Sequence, residues 1–190
     1  MADNLIKKGD RGYLDKNHTK TFIRFMIFGL ITLLLGLCTW VIFPQHGMVF
    51  LILAVISAIP TAMALVNFIM FMRFRSIGEE DYKRIEEVRG KTLIFYDSVI
   101  TTTEKSYYVP CISVINKNIM LYSGVTGSDE KALIRHLTLM TKKNGFKDWH
   151  VKVFNDIDTF EKRLRYLNEQ NIKVLKTDGE MIDLLGALSL

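Results

Sequence analysis

The chain has 190 residues, of which 49% are hydrophobic, and its formal net charge is +5 at pH 7. Residues 1–24 carry six Lys and Arg against three Asp (net +3), and residues 73–190 carry nineteen against seventeen acids (net +2). Because a nucleic-acid groove needs basic residues clustered on a folded face, this distribution argues against such a domain, and no nucleic-acid partner is expected. The two cysteines, Cys38 and Cys111, exclude a disulfide framework and are typical of a reducing cytosol.

Residues 1–24 show no apolar period and mix Lys, Asp, Asn and Gly, so we expect a flexible basic cytoplasmic tail. Residues 25–72 contain no Lys, Arg, Asp or Glu. They form two apolar runs, 25–43 and 48–72, that an outer turn at 44–47 separates. About 20 apolar residues cross a hydrocarbon core, so the sequence predicts a transmembrane hairpin.

No small-x-small cleavage pattern follows the first run, and we therefore expect both spans to be retained. Basic residues flank the hairpin at Lys20, Arg24, Arg73 and Arg75, whereas the outer turn has no Lys or Arg. The positive-inside rule then predicts a multi-pass protein with both termini in the cytoplasm. The high Lys, Ile and Asn content favours a bacterial plasma membrane as the location.

Small residues recur within the spans. Gly29 and Gly36 share one face of the first span, and Ala54, Ala58 and Ala62 recur every four residues in the second. Helices pack closely in lipid at such positions, so these faces either close the hairpin on itself or recruit another copy or another membrane protein. Pro60 lies mid-span and is expected to kink the second helix.

Residues 73–190 read as a small α+β cytosolic domain of order α-β-β-β-α-β-α, with a possible further β-α. Residues 76–81 indicate the start of a short charged helix, with Ser76 as a possible N-cap and Gly90 as its expected stop. The strand candidates are 92–100, 106–115 and 119–123. Pro110 implies that the second strand is an edge strand or carries a bulge there. A helix over 128–144, a strand over 149–154 and a helix that Asp156 caps follow. Residues 172–175 are a possible last strand, and 179–190 a final helix.

The order α-β-β-β-α-β over Glu79–Phe154 resembles the core of the restriction-endonuclease-like fold. The resemblance implies a metal site with an acid near the second strand and an acid-x-Lys on the third. Glu104-Lys105 precede the second strand here, but residues 119–123 contain no carboxylate and no lysine. The metal site that the resemblance implies is therefore not expected.

Other reactive residues fall outside recognisable patterns. Cys111 is a candidate nucleophile with His136 or His150, although a buried structural thiol is the preferred interpretation. The loop at 124–128 enters a helix, but Asp129 and Glu130 would repel phosphate there. The acids Asp156, Asp158 and Glu161 are interpreted as helix capping. The tyrosines at 96, 107, 108 and 122 are interpreted as sheet packing rather than a nucleic-acid surface.

The sequence thus predicts no catalytic, cofactor-binding or metal-binding residue. The expected function is a membrane-anchored cytosolic interaction or accessory module that binds lipid and either a protein partner or its own kind. One alternative is a membrane-surface enzyme with an unrecognised site. Another is a small oligomeric pore or transporter accessory.

Overall fold

The computed structural model describes residues 7–38, 47–102, 105–170 and 173–189, and the chain divides into two compact units. One unit, Leu14–Arg75, contains the long apolar helices. The other unit contains the described residues up to Tyr13 together with those from Ser76 onward, and it is a small α/β domain with a mixed four-stranded sheet.

The two long helices are α1 (Tyr13–Leu37) and α2 (Gly47–Met72). Helix α2 begins within one residue of the predicted span and continues through Pro60. Helix α1 begins twelve residues before the apolar run, so residues 13–24 are helical where a flexible tail was expected. Gly12 is the last glycine before this stretch, and nothing between Tyr13 and Arg24 interrupts a helix. Of the predicted turn at 44–47, residues 44–46 lie outside the described residues, and Gly47 begins α2 instead.

Helices α1 and α2 pair in antiparallel fashion. The hydroxyl oxygens of Thr32 and Thr61 lie 2.9 Å apart, and the rings of Phe25 and Phe68 stack with their centroids 6.2 Å apart. Residue numbers therefore decrease along α1 as they increase along the contacting positions of α2. This is the hairpin arrangement that the sequence predicts.

The α/β domain begins with α3 (Glu79–Val88), which leads into the sheet. Its strands are β1 (Leu93–Thr101), β2 (Ser106–Ile115), β3 (Asn118–Tyr122) and β4 (His150–Phe154). They lie in the order β1-β2-β3-β4, antiparallel across the first three and parallel between β3 and β4. Helix α4 (Ser128–Lys143) makes the crossover that a parallel pair requires.

Two further helices complete the domain, α5 (Ile157–Glu169) and α6 (Lys176–Leu188). The predicted order α-β-β-β-α-β-α is confirmed. The possible strand at 172–175 does not form at residues 173–175, and residue 172 lies outside the described part. Instead α6 begins at Lys176, because the buried Asp178 carboxylate accepts a hydrogen bond of 2.9 Å from the Leu175 backbone N–H.

The sheet buries both faces. On one face, Val109, Ile112 and Leu121 share a core with Leu133 of α4 and with Met181 of α6. On the other face, side chains from β1, β2 and β3 share a core with side chains from α3 and α5, and they include Tyr96, Cys111, Met120, Ile85 and Phe160. The domain therefore has a three-layer α/β/α arrangement.

The alternation of side chains changes phase in the middle of β1 and β2. Val109 and Ile112 face the same core, and the pairing register omits Asp97 and Pro110, which would lie opposite each other. Asp97 has φ 53°, in the left-handed region that Asp tolerates better than most residues. Strand β2 pairs on both sides, so the edge-strand alternative is wrong. A bulge would place an extra residue on one strand, whereas here the pairing skips one residue on each strand.

Candidate functional site

Asp97 joins two segments of the α/β unit that flank the helical hairpin in the sequence, one before α1 and one after α2. One carboxylate oxygen accepts a hydrogen bond of 2.7 Å from the backbone N–H of Gly12, just before α1. The other accepts one of 2.9 Å from the backbone N–H of Ile77, shortly after α2. The side chain is only 1% exposed, and these two bonds occupy an oxygen each. We call this arrangement the Asp97 tether.

The segment before α1 covers the free edge of β1. The carbonyl of Gly9 accepts a hydrogen bond of 2.8 Å from the backbone N–H of Tyr96. Gly9 has φ +96°, and a Cβ there would lie 2.6 Å from the Phe95 ring, so the chain needs glycine at this point. The other end of the chain meets the same edge, where the hydroxyl of Ser189 accepts a hydrogen bond from the Val99 backbone N–H.

A salt bridge reinforces the tether. The Arg11 guanidinium lies 2.7 Å from the Glu79 carboxylate and sits over the Tyr82 ring, 4.9 Å from its centroid. The hydrogen bond from Arg11 lowers the pKa of the Glu79 carboxyl, and Lys83 acts in the same direction. Arg11, which lies in the segment predicted as a flexible tail, therefore contacts α3.

The hairpin contains a cluster of hydroxyl groups at its centre, formed by Thr32, Ser57 and Thr61. Besides its contact with Thr61, Thr32 accepts a hydrogen bond of 3.1 Å from the Ser57 hydroxyl. Ser57 and Thr61 also bond to carbonyls of their own helix at 2.9 Å. The contacts of Thr32 with Ser57 and Thr61 link α1 to α2, and the pattern of glycine and alanine does not indicate them.

The predicted packing residues are distributed over different faces. Ala54 is half-buried on the same side of α2 as Ser57 and Thr61, whereas Ala58 and Ala62 are exposed. A Cβ added to Gly29 or Gly36 would meet no atom within 4 Å, so neither glycine allows a close backbone contact in the hairpin.

A crevice of about 180 Å³ lies within the hairpin. Arg24 and Pro60 line it together with Thr21, Ala64 and Asn67. The remaining basic flanks, Lys20, Arg73 and Arg75, are exposed.

Cys111 is fully buried on β2. Desolvation raises the pKa of its thiol well above the ordinary value, and Glu86 contributes in the same direction. A nucleophilic cysteine needs the opposite environment, because only the thiolate attacks. Cys111 therefore packs the core, as preferred above.

The acidic group at the start of α5 is also structural. Asp156 caps the helix by accepting a hydrogen bond of 3.1 Å from the Thr159 backbone N–H. Asp158 and Glu161 both pair with Arg84 of α3, and these bonds lower the pKa of the Asp158 carboxyl. The predicted cap is confirmed, and Arg84 joins α3 to α5.

The tyrosines do not form one surface. Tyr96 and Tyr122 pack with the α3/α5 core, whereas Tyr107 belongs to the core on the opposite face. Burial raises the pKa of Tyr122 to about 12, and the Asp81 carboxylate, 3.2 Å from its hydroxyl, contributes to that rise. A continuous base-stacking platform would need these rings on one face.

A cleft of about 610 Å³ lies between α4 and the ends of β1 and β2. Its lining includes three basic side chains on α4, at Lys131, Arg135 and His136. Hydroxyl-bearing residues and two apolar residues complete it: Ser128, Thr102, Tyr107, Ala132 and Leu139. We call it the basic cleft. The lining residues of α4 recur every three or four positions from Ser128 to Leu139, and this spacing in the sequence is the signal that predicts a common helix face.

The strands do not bring together a metal-binding group. Among the described residues, which omit Glu104, no three His, Cys, Asp or Glu side chains are close enough to hold a metal ion. No protein-family model, no curated protein and no solved structure matches this chain. The resemblance to the restriction-endonuclease-like core thus rests on element order alone.

Proposed function

We propose that this chain is a membrane-anchored interaction module. In this proposal α1 and α2 cross a bilayer, and the α/β domain binds a protein partner or another copy at the cytoplasmic face. The exposure of the two apolar helices carries the proposal. Their most apolar 18-residue windows are 0% and 6% buried, whereas a core helix of a soluble protein is mostly buried.

The energetic argument favours lipid as the environment of the helices. Burying one large aliphatic side chain stabilises by about 1.5–3 kcal/mol relative to leaving it in water. Many such side chains of α1 and α2 are exposed, among them Leu33, Val55 and Ile59. The hydroxyl cluster supports the same interpretation, because polar groups in a bilayer require partners within the protein.

The Asp97 tether supports an anchoring role for the hairpin. Gly12 and Ile77 belong to the α/β unit, flank the hairpin in the sequence, and both bond to one carboxylate of that unit. An antiparallel hairpin has both ends on one side of a bilayer, so both connections to the domain would lie on that side. Basic residues at these ends favour the cytoplasmic side, and we propose a bacterial plasma membrane as the location.

The anchor is tested by extraction of membranes with alkaline carbonate. The wild-type chain is expected to stay in the membrane pellet. Ile59→Lys places a charge at an exposed position within α2 and should release a measurable fraction, since a mid-span lysine costs about 2.5–3.5 kcal/mol on insertion scales. Val174→Lys, at an exposed apolar position of the domain, is the matched control. Release of the wild-type chain would contradict the anchor.

The interaction role is tested by the native mass of the complex after extraction in mild detergent, corrected for bound detergent. A mass above that of one chain, or one that includes a second protein, is the expected result. A single chain in this measurement, together with turnover of a substrate by the domain, would contradict the proposal and favour the enzyme alternative.

A further inference from the structure

We propose that the basic cleft binds a phosphate group of an anionic ligand. The cleft lies entirely within the α/β domain, and its chemistry does not depend on the membrane anchor. A volume of about 610 Å³ falls within the range of about 300–1,000 Å³ that is typical of small-molecule sites. It exceeds the volume of phosphate alone, so the ligand would carry an organic group.

One face of α4 supplies most of the cleft. Ser128, Lys131 and Arg135 are spaced by three and four residues, and the next positions of the same stripe are Ala132, His136 and Leu139. This spacing places all six on one side of the helix. The opposite side carries Leu133 and Leu137, which are fully buried, so the core fixes the orientation of the basic face.

Two cationic side chains of the cleft, Lys131 and Arg135, have no ionic partner among the described residues. They are four residues apart, where like charges on a helix repel each other. Neither side chain forms an ion pair or hydrogen bond with another residue in the described part of the chain. Elsewhere in the domain Arg11 pairs with Glu79, and Arg84 with Asp158 and Glu161. A bound anion would relieve the repulsion that these two side chains retain.

The acids at the start of α4 do not neutralise the cleft. Neither Asp129 nor Glu130 belongs to its lining. The Asp129 carboxylate is held by the Lys105 ammonium, whose nitrogen lies 3.0 and 3.1 Å from its two oxygens. The repulsion of phosphate that the sequence suggested is thereby offset by a lysine from the loop between β1 and β2.

Hydroxyl-bearing residues and an exposed leucine of the cleft indicate what the rest of the ligand would be. Tyr107 is buried in the core at 6% exposure and is one of the residues that line the cleft, as is Ser128. The Thr102 hydroxyl already donates to the Lys105 carbonyl at 2.9 Å, so it can only accept from a ligand. Leu139 is 46% exposed, an apolar surface beside the cations. A phosphate on Arg135 and Lys131 with an apolar or sugar group near Leu139 fits this arrangement.

Two sources share this chemistry, a phospholipid headgroup and a soluble organic phosphate. The test uses the full chain in a neutral detergent and isothermal titration calorimetry. The probes are inorganic phosphate, soluble dihexanoyl phosphatidic acid and, as a zwitterionic control, dihexanoyl phosphatidylcholine. Saturable binding of either phosphate probe, with no binding of phosphatidylcholine, is expected.

A charge-matched pair of variants tests the position of the site. The double variant Lys131→Gln with Arg135→Gln should weaken binding by about tenfold or more, because each charged contact to phosphate is lost. The double variant Lys142→Gln with Lys143→Gln removes the same charge from exposed positions at the other end of α4, and it should change the affinity less than twofold. All four side chains are polar and on the helix surface, and unchanged melting curves would verify that the variants fold.

The sources are separated by Leu139→Ala. If the ligand is a lipid, phosphatidic acid binds more tightly than inorganic phosphate and this variant removes the difference. If it is a soluble phosphate, both probes bind equally and the variant has no effect. Absence of saturable binding for both probes would overturn the proposal, as would equal weakening in the two double variants.

Discussion

At the scale of single residues, the buried Asp97 carboxylate joins two segments that are far apart in the sequence. Asp97 accepts the backbone N–H groups of Gly12 and Ile77, and both belong to segments that enter or leave the hairpin. A carboxylate offers two acceptor oxygens, whereas an amide offers only one. Asparagine, which has the same size, could therefore accept only one of these two hydrogen bonds.

Asp97→Asn is expected to destabilise the α/β domain by about 1–3 kcal/mol, because an amide leaves one buried N–H without an acceptor. Asparagine tolerates the φ of 53° at this position, so the change isolates the lost acceptor from backbone strain. Chemical denaturation of the full chain in detergent measures the effect, and limited proteolysis should cut more readily near Gly12 and Ile77. Asp183→Asn, at an exposed position of α6, is the control and should leave both readouts unchanged.

Cys111 illustrates what residue patterns do reveal. A cysteine in an otherwise apolar strand predicts a core thiol, and the structure buries it completely. Asp97 lies in the same kind of strand, and its partners are backbone groups 85 and 20 residues away along the chain. A carboxylate in such a strand indicates that some donor must meet it. The pattern cannot indicate which donor, because the fold alone brings Gly12 and Ile77 to it.

Burial of Cys111 leads to a prediction about pH. Its pKa is higher in the folded chain than in the unfolded chain, so the unfolded state releases the thiol proton first as pH rises. This contribution to stability is present below the ordinary thiol pKa and is lost above it. In a Cys38→Ala background, a thiol reagent should therefore react with Cys111 only at the rate of unfolding, and that rate should increase at alkaline pH. Rapid labelling at neutral pH would contradict the burial of this thiol.

At the scale of elements, composition predicts the apolar helix α2 but not the polar first half of α1, residues 13–24. Helix α2 begins within one residue of its predicted start, because charge is absent from the whole segment. Helix α1 starts well before its apolar run, since residues 13–24 lack an apolar period and gain helical structure as an extension of the span. The order of the first three strands follows from the short connections between them. The change in side-chain alternation at Asp97 and Pro110 cannot be predicted from either strand alone, because it requires the two strands to pair.

Within the hairpin, we expect the hydroxyl cluster to stabilise the contact between α1 and α2. Thr32→Val keeps the shape of the side chain and removes its hydrogen bonds to α2, which should cost about 0.6–2 kcal/mol in a membrane environment. Energy transfer between dyes at Leu30 and Met63, two exposed positions, would report separation of the helices as denaturing detergent is added.

Thr19→Val is the control for the hydroxyl cluster. The Thr19 hydroxyl bonds only to the Asp15 carbonyl of its own helix, at 3.2 Å, so its loss should not affect contact with α2. Equal effects of the two valine substitutions would show that the hydroxyl cluster does not hold the hairpin together.

At the scale of the whole molecule, two units with different surfaces belong to one chain. The hairpin exposes apolar side chains, whereas the α/β domain buries its apolar side chains on both faces of the sheet. The sequence predicts this division because charge is absent from residues 25–72 and resumes at once on either side. The sequence does not predict the basic cleft, because the cleft forms only where the end of β1 and the start of β2 lie beside α4.

The proposed topology predicts which positions of the whole molecule can be reached from outside the cell. In a Cys38→Ala background, a cysteine at Gln45, between the two apolar runs, should react with a membrane-impermeant maleimide on intact cells. A cysteine at Lys147, an exposed position of the α/β domain, should react only after the membrane is made permeable. The physical reason is that the basic residues flanking the hairpin favour the cytoplasmic side, while the connection carries no Lys or Arg. Cys111 is buried and should add little signal in either case. Labelling of Lys147→Cys but not Gln45→Cys on intact cells would reverse the orientation, and labelling of both would exclude a hairpin with its two ends on the cytoplasmic side.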